Sequence, residues 1–406
     1  MRMRAACCVL RNFLAVGSVI LALPTISAAQ VETFASGNRV TVRAANPIAL
    51  ERRDETIAVA WSALAPRLRG LASDRVRVLD GNGTEIVSQP YDADADGKPD
   101  SLLFQADFGP QQTRSFVVEA RAAGKFAPRV SLRHDEPRDD MAWENDRVAF
   151  RIYGEGLKKT PSAMSSNGID VWAKRTRAMI VDKWYTKGHD AYHVDTGEGA
   201  DFFDVGQTLG VGGTALWRGD SLQRGDNFKG WKVIADGPIR AAFDLRYDPW
   251  GDAGPRVSEV KRIIIDAGQH LYRAESRFGV QGGGAGSFAY ATGVVKRPGM
   301  VGATSRERAW AWVAGWGPVA LKNGGHGELG TAVLVRADRL TDWKETKDHY
   351  LAVGRASTSE PTVQYQGAGW TAAGEITSPQ AWWAYLDQFA QRLAAPIRVT
   401  LDTAAR

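Results

Sequence analysis

Segments in which polar and apolar residues alternate, divided by Gly- and Asp-rich turns, recur from Arg39 to Leu401. A two-residue period puts successive side chains on opposite faces of a strand, so each segment needs partner strands and one buried face. Residues 39–43, 57–61, 76–79, 102–104 and 115–119 come first, separated by turns such as Asp80-Gly-Asn-Gly83 and Phe108-Gly-Pro110. Short strands at this spacing predict a small sandwich over 30–131. Longer strands follow at 147–153, 231–234, 239–247, 257–265 and 271–278, with more at 333–335 and 397–401. A helical period stands out only at 379–393, where Ser378 caps and Pro396 stops the run. The fold class expected is mainly β, with few helices: a small N-terminal β-sandwich followed by a large antiparallel β-sandwich over 141–406. The charged stretch 132–140, which carries Pro137, is the expected boundary.

The first 29 residues read as a cleaved signal peptide. Arg2, Arg4 and Arg11 give a basic start, 13–23 is apolar, Pro24 breaks the run, and Ser27-Ala28-Ala29 suits a signal peptidase. The apolar run is shorter than the ~20 residues a membrane span needs, and no later stretch is apolar enough. A periplasmic or secreted protein with no membrane span in the mature chain is therefore expected. Cys7 and Cys8 are the only cysteines and both precede the cleavage site. The mature chain then has no disulfide, no thiol nucleophile and no thiolate metal site. The formal net charge of +5 falls once the leader's arginines are removed. With no basic stripe or recognition motif, a nucleic-acid partner is not expected.

Four strings carry a family resemblance: Met141-Ala-Trp-Glu-Asn-Asp-Arg-Val-Ala-Phe-Arg-Ile-Tyr-Gly154, Gly168-Ile-Asp-Val-Trp-Ala-Lys-Arg-Thr-Arg177, Asp182-Lys-Trp-Tyr185 and Tyr192-His-Val-Asp-Thr-Gly-Glu-Gly-Ala-Asp-Phe-Phe203. With these the chain resembles domain-of-unknown-function family 4861 over nearly all of its mature length. The resemblance implies an exported bacterial protein of the kind often found beside polysaccharide-degrading enzymes. The strand-rich body also resembles the large sandwich of galactose-mutarotase-like proteins and several polysaccharide lyases, an analogy of fold alone.

The densest run of polar and aromatic residues lies between Lys183 and Asp204, in a segment whose glycines at 188, 197, 199 and 206 mark it as loop. Acid–base work on a sugar needs a base with a pKa near neutral and a proton donor. His193 is the expected base and Tyr192 the acid, with Glu198 and His189 as further catalytic candidates. Arg175, Lys183, Tyr185, Asp201 and Trp184 are the expected substrate-binding residues, the cations suiting a uronate carboxylate and the rings a sugar face. Alternation puts Lys174 and Thr176 on one face and Arg175 and Arg177 on the other, so these cannot all meet one ligand. A zinc site of His189, His193 and Glu198 is the competing reading, and the glycines argue against the helix that would align its histidines. His326 and Glu328 could enter the site from a distant loop, whereas His270, at the start of a strand, reads as structural. No Gly-x-Ser-x-Gly elbow accompanies the serines.

A separate signal is Asp92-Ala-Asp-Ala-Asp-Gly97 followed by Asp100. Oxygens at alternate positions with glycine sixth match the first half of a calcium loop. Position twelve is Leu103 rather than a bidentate Glu, so Asp92, Asp94, Asp96 and Asp100 are read either as a structural calcium turn or as a plain acidic turn, and no cofactor is required for the leading mechanism.

The function expected is an exported carbohydrate-active protein acting on a uronic-acid-containing polysaccharide or oligosaccharide. A lyase would abstract the C5 proton through His193 or Tyr192, whereas a hydrolase would need two carboxylates, with Glu198 and Asp201 the nearest. The alternatives are a non-catalytic glycan-binding protein and a sugar epimerase or mutarotase.

Overall fold

The computed structural model describes residues 37–402, apart from 160–166, 253, 283–285, 307–308 and 321–324. The segment expected to be a signal peptide, with both cysteines, lies outside the described residues.

Antiparallel sheets make up the body of the chain, as the alternating segments require. A five-stranded sheet runs in the order Arg398–Asp402, Arg39–Ala45, Thr113–Glu119, Arg77–Leu79, Glu85–Ile86. It faces a three-stranded sheet of Arg52–Ala60, Ser101–Phe108 and Ser88–Tyr91. The inward residues of both, among them Val42, Ile57, Phe104 and Phe116, close one apolar core. The expected strand at 57–61 begins at Arg52 and ends at Ala60, where a short helix, Trp61–Leu64, takes over.

The last strand departs from the division at 141. Arg398–Asp402 pairs with Arg39–Ala45 (Val42 opposite Leu401), so the last described strand completes the sheet that holds the first. Residues 132–140 are not a linker either. They form the hairpin between Val130–Asp135 and Asp140–Asn145, with Pro137 in its turn, where no ladder N–H is required of it.

The large layer is an eight-stranded sheet in the order Gly230–Asp236, Arg240–Trp250, Val257–Asp266, Leu271–Val280, Thr362–Trp370, Glu328–Arg336, Trp310–Pro318, Val301–Ser305. One face packs on two five-stranded sheets. The first runs Ser221–Arg224, Ala215–Arg218, Ser287–Val295, His349–Ser357, Leu340–Glu345, and the second runs Gly199–Ala200, Asp170–Lys174, Ala149–Tyr153, Asp140–Asn145, Val130–Asp135. Between them lies the main core, with Trp143, Phe150, Phe243, Tyr272 and Val333. The opposite face takes the helix Pro379–Ala394, whose Trp382, Leu386 and Phe389 cover Trp312, Trp316 and Leu334. Elsewhere on that face Ala242 and Ile264 meet Tyr91 and Leu103 of the small sandwich. The helix starts as the sequence requires, with Ser378 accepting from the Ala381 N–H at 3.2 Å and Pro379 in the first turn. Among the described residues, no helix is long and apolar enough to cross a membrane.

Candidate active site

The expected site grows from the sheet edge at Asp170–Lys174 and Gly199–Ala200, where Lys174 pairs with Gly199. Glycine is obligatory at 199: its φ is +109°, and a Cβ there would lie 1.9 Å from the Ala173 carbonyl oxygen. Part of the intervening segment, read as loop, is the helix Val181–Lys187. No local side chain caps it. The buried carboxylate of Glu144, on a neighbouring strand, instead accepts from the Ile180 and Val181 N–H groups at 2.7 and 2.8 Å. Gly188 ends the helix with φ +90°, and a turn of 3-10 helix at Ala191–His193 follows.

This geometry sorts the candidates. Trp184, Tyr185 and Tyr192 point inward and pack on Trp172 in a buried aromatic cluster, so none offers a ring face to a sugar. The Tyr192 hydroxyl accepts from Arg151 at 3.0 Å, and burial raises its pKa, which corrects the reading of Tyr192 as an acid reaching a ligand. His193 is placed differently. Its ring is 40% exposed, and Nδ1 lies 2.8 Å from the Asp201 carbonyl oxygen. A carbonyl only accepts, so the neutral ring carries its proton on Nδ1 and leaves Nε2 as a free base. Burial lowers the His193 pKa, favouring that neutral form. The exposed His189 ring lies 4.9 Å from that of His193 and 5.4 Å from that of Tyr192.

Glu198 belongs to a different cluster. Its carboxylate accepts from Lys183 Nζ at 2.5 Å and from Trp184 Nε1 at 3.4 Å, and the Lys183 bond lowers its pKa. Glu198 therefore joins neither His193 nor a zinc site with the two histidines. Among the described residues, the only group of three or more His, Cys, Asp or Glu donors within 4.8 Å of one another is Asp92, Asp94 and Asp100. Arg175 pairs with Asp195, and its guanidinium lies 4.8 Å from the centre of the Trp370 ring. Lys174 is fully buried on Glu144, with Nζ–Oε2 at 2.6 Å.

Beneath His193 sits a charge cluster that its strand sequence concealed. Arg151 projects inward and binds Asp170 Oδ2 at 2.6 Å and Asp201 Oδ2 at 2.8 Å. Tyr153 donates to the same Asp170 oxygen at 2.9 Å. Burial raises the pKa of Asp170 and Asp201 despite Arg151, and it pushes Asp140 up to about 7. One buried guanidinium thus faces several carboxylates, an arrangement typical of functional sites and of structural networks alike. Asp201 unites the two halves: its buried side chain anchors Arg151 and its carbonyl orients His193, which leaves it withdrawn from the surface where a ligand was expected to meet it. The only sequence signal was an arginine at a strand position flanked by apolar residues.

The distant loop does arrive. The His326 ring stacks on Phe202 at 4.0 Å, and Trp370 Nε1 donates to the His326 carbonyl at 2.7 Å. Glu328 accepts from Trp316 Nε1 instead. His270 is buried, as expected for a structural histidine, yet its Nε2 lies 3.2 Å from Glu375 Oε2.

In the small sandwich, the Asp92 carboxylate accepts from the Asp96 and Gly97 N–H groups at 3.2 and 2.7 Å. Burial works against its ionisation, but these backbone bonds prevail and lower its pKa. Asp94 and Asp100 converge on it, while Asp96 lies outside that group and accepts from the Lys98 N–H.

Comparison with known proteins places the chain by family. A curated relative from Formosa agariphila, called uncharacterized protein P7, is 29% identical over 343 residues, covering 78% of this chain and 82% of the relative. Two solved structures from Enterococcus faecalis resemble it: a protein in glycosyl hydrolase family 38 (9% identity, TM-score 0.48, 91% of this chain) and an alpha-mannosidase (8%, 0.44, 92%). The chain covers 48% and 47% of those two, about half their length. A family model matches residues 44–399, most of the sequence. The chain belongs to the family described as domain of unknown function DUF4861.

Proposed function

We propose that this protein is an exported, periplasmic or secreted enzyme that acts on a uronic-acid-containing polysaccharide or oligosaccharide, with His193 as the base. The observation that carries the reading is the His193 ring, fixed through Nδ1 by the Asp201 carbonyl with its exposed part turned to solvent. A fixed tautomer with a lowered pKa is ready to take a proton at neutral pH. On a uronate the proton is the one at C5, and a guanidinium on the carboxylate stabilises the carbanion that forms; its electron pair then makes the C4=C5 double bond as the C4–O bond breaks, and the leaving oxygen takes a proton from the histidinium or from water. Arg175, exposed beside Trp370, is the candidate partner. Elimination is favoured over hydrolysis because Asp201 is buried on Arg151 and Glu198 is held by Lys183, so these two do not form a carboxylate pair across a common space.

The test is the absorbance of the unsaturated product on a panel of polyuronides, with His193→Gln beside the wild type. Product formed by the wild type and lost by at least 100-fold in the variant is expected. Wild-type levels of product from His193→Gln would refute the assignment. Glycan binding without turnover has one observation in its favour: neither Tyr192, which is buried on Arg151, nor Glu198, which is held by Lys183, is placed as the acid partner of His193. That reading predicts glycan affinity that persists in His193→Gln and no product from either protein. The Asp92, Asp94 and Asp100 turn is proposed as a structural calcium site.

A further inference from the structure

Between the small sandwich, the eight-stranded sheet and the C-terminal helix lies an open cleft of about 680 Å³ that the His193 site does not use. Its size falls within the range of small-ligand sites, about 300–1,000 Å³. The walls carry Arg53, Arg147, Arg177, Arg392 and His270, with Tyr385 and Phe389 as an apolar side. Each of the four arginines also has a carboxylate neighbour of its own (Arg53 with Glu51, Arg147 with Asp54, Arg177 with Asp146, Arg392 with Glu55), and a guanidinium fork has donors left over that match a further carboxylate in shape.

The protein's own Glu375 occupies this cradle. Arg177 Nη2 donates to Glu375 Oε1 at 2.6 Å, Arg147 pairs with Oε2, and His270 Nε2 lies 3.2 Å from Oε2. The Nδ1 of His270 faces the Ala368 carbonyl at 3.2 Å, so both ring nitrogens are held between oxygen acceptors. Glu375 nonetheless stays about a third exposed. It sits on the short connection between the strand Thr362–Trp370 and the helix Pro379–Ala394, just after Gly374, whose φ is +84°. A carboxylate on a connecting loop can leave its partners without breaking a sheet ladder.

Contacts link this cleft to the His193 site. Arg175, two residues before Arg177, lies over Trp370, five residues before Glu375. Phe202, which follows Asp201, also packs against Trp370 at 5.9 Å. Trp370 is thus the shared neighbour of the segments that lead to His193 on one side and to Arg177 and Glu375 on the other.

We propose that the cleft is a second binding site, for the carboxylate of an acidic sugar unit, and that Glu375 holds it closed in the free protein until that carboxylate takes its place. The proposal rests on the acidic-sugar reading above and deepens it: successive units of one chain would meet His193 and the Arg147–Arg177 cradle.

Calorimetric titration of the full mature chain tests this with trigalacturonate and trimannuronate as acidic probes and maltotriose as the neutral one. Removing the competing charge in Glu375→Gln should tighten binding of at least one acidic probe about tenfold. Arg177→Ala should weaken it about tenfold, and Arg177 is exposed enough for that variant to fold. Maltotriose binding should change in neither. Unchanged affinity for both acidic probes in both variants, no binding of either by any protein, or an equal gain for maltotriose would overturn the proposal. The two readings fail separately. Product formation with no effect of Glu375→Gln or Arg177→Ala removes the cleft and keeps the enzyme, whereas affinity shifts without turnover do the reverse.

Discussion

The Glu144–Lys174 pair allows a stability prediction whose sign, as well as size, follows from the geometry. Both side chains are fully buried, with Lys174 Nζ bound to Glu144 Oε2 at 2.6 Å and to the Asn145 carbonyl at 2.8 Å. Glu144 Oε1 accepts from the Ile180 and Val181 N–H groups and from Ser131 Oγ at 3.1 Å. Glu144→Gln keeps a carbonyl oxygen for the helix but turns an NH2 group toward an ammonium. Breaking a buried pair this way costs about 3–5 kcal/mol. Lys174→Met leaves a carboxylate that still has three donors, so its cost is nearer 1–3 kcal/mol. The double variant contains no unpaired charge. Lys174→Met should therefore stabilise the Glu144→Gln protein although it destabilises the wild type, with a coupling of roughly 2 kcal/mol or more. Urea unfolding of the four proteins measures this, and total stability of about 5–15 kcal/mol leaves room to see it. If Lys174→Met costs the same in both backgrounds, to within about 0.5 kcal/mol, the charge-coupling argument is refuted.

Three other predictions concern pH and metal. His349 is buried and accepts from the Leu209 N–H through Nε2, and burial lowers its pKa to about 4. Its folded state binds protons less readily than the unfolded chain, so stability present above about pH 6.5 is lost as pH falls toward 4, by roughly 3 kcal/mol in total. His349→Leu should flatten that slope, and an unchanged slope in urea titrations would count against the assignment. Asp140 has the opposite sign: burial raises its pKa to about 7, so stability present below about pH 4 is lost as pH rises to 7. Asp140→Asn should be more stable than wild type at pH 8 and lose that advantage by pH 4; equal melting temperatures at pH 8 would show the carboxylate to be better solvated than its burial indicates. Millimolar calcium should raise the melting temperature of the wild type and leave that of Asp92→Asn unmoved, and the absence of a shift at about 10 mM would remove the calcium turn.

The fold and the site were legible to different depths. Alternation, turn residues and the Ser378 and Pro396 signals are local, and they located most strands and the long helix. The hairpin at Val130–Asp135 and Asp140–Asn145 was hidden because a charged turn with proline looks the same whether it links two domains or two strands. Grouping His189, Tyr192 and His193 as neighbours was possible because they are close in sequence and share a short turn. Their directions were not readable, since a loop has no period to assign a side chain to one face.

What the sequence determined by itself was the β-rich class and the family. Tertiary structure alone decided which charges are buried and which distant strands pair. Nothing along the strands marks Arg151 and Lys174 as buried cations; Asp170, Asp201 and Glu144 arrive from other segments to pair with them. The strand Arg398–Asp402 finds Arg39–Ala45 across more than 350 residues. The physical reason is the same in each case. Side-chain period is set by neighbours along the chain, whereas burial of a charge and register of a sheet are set by partners that only folding brings near.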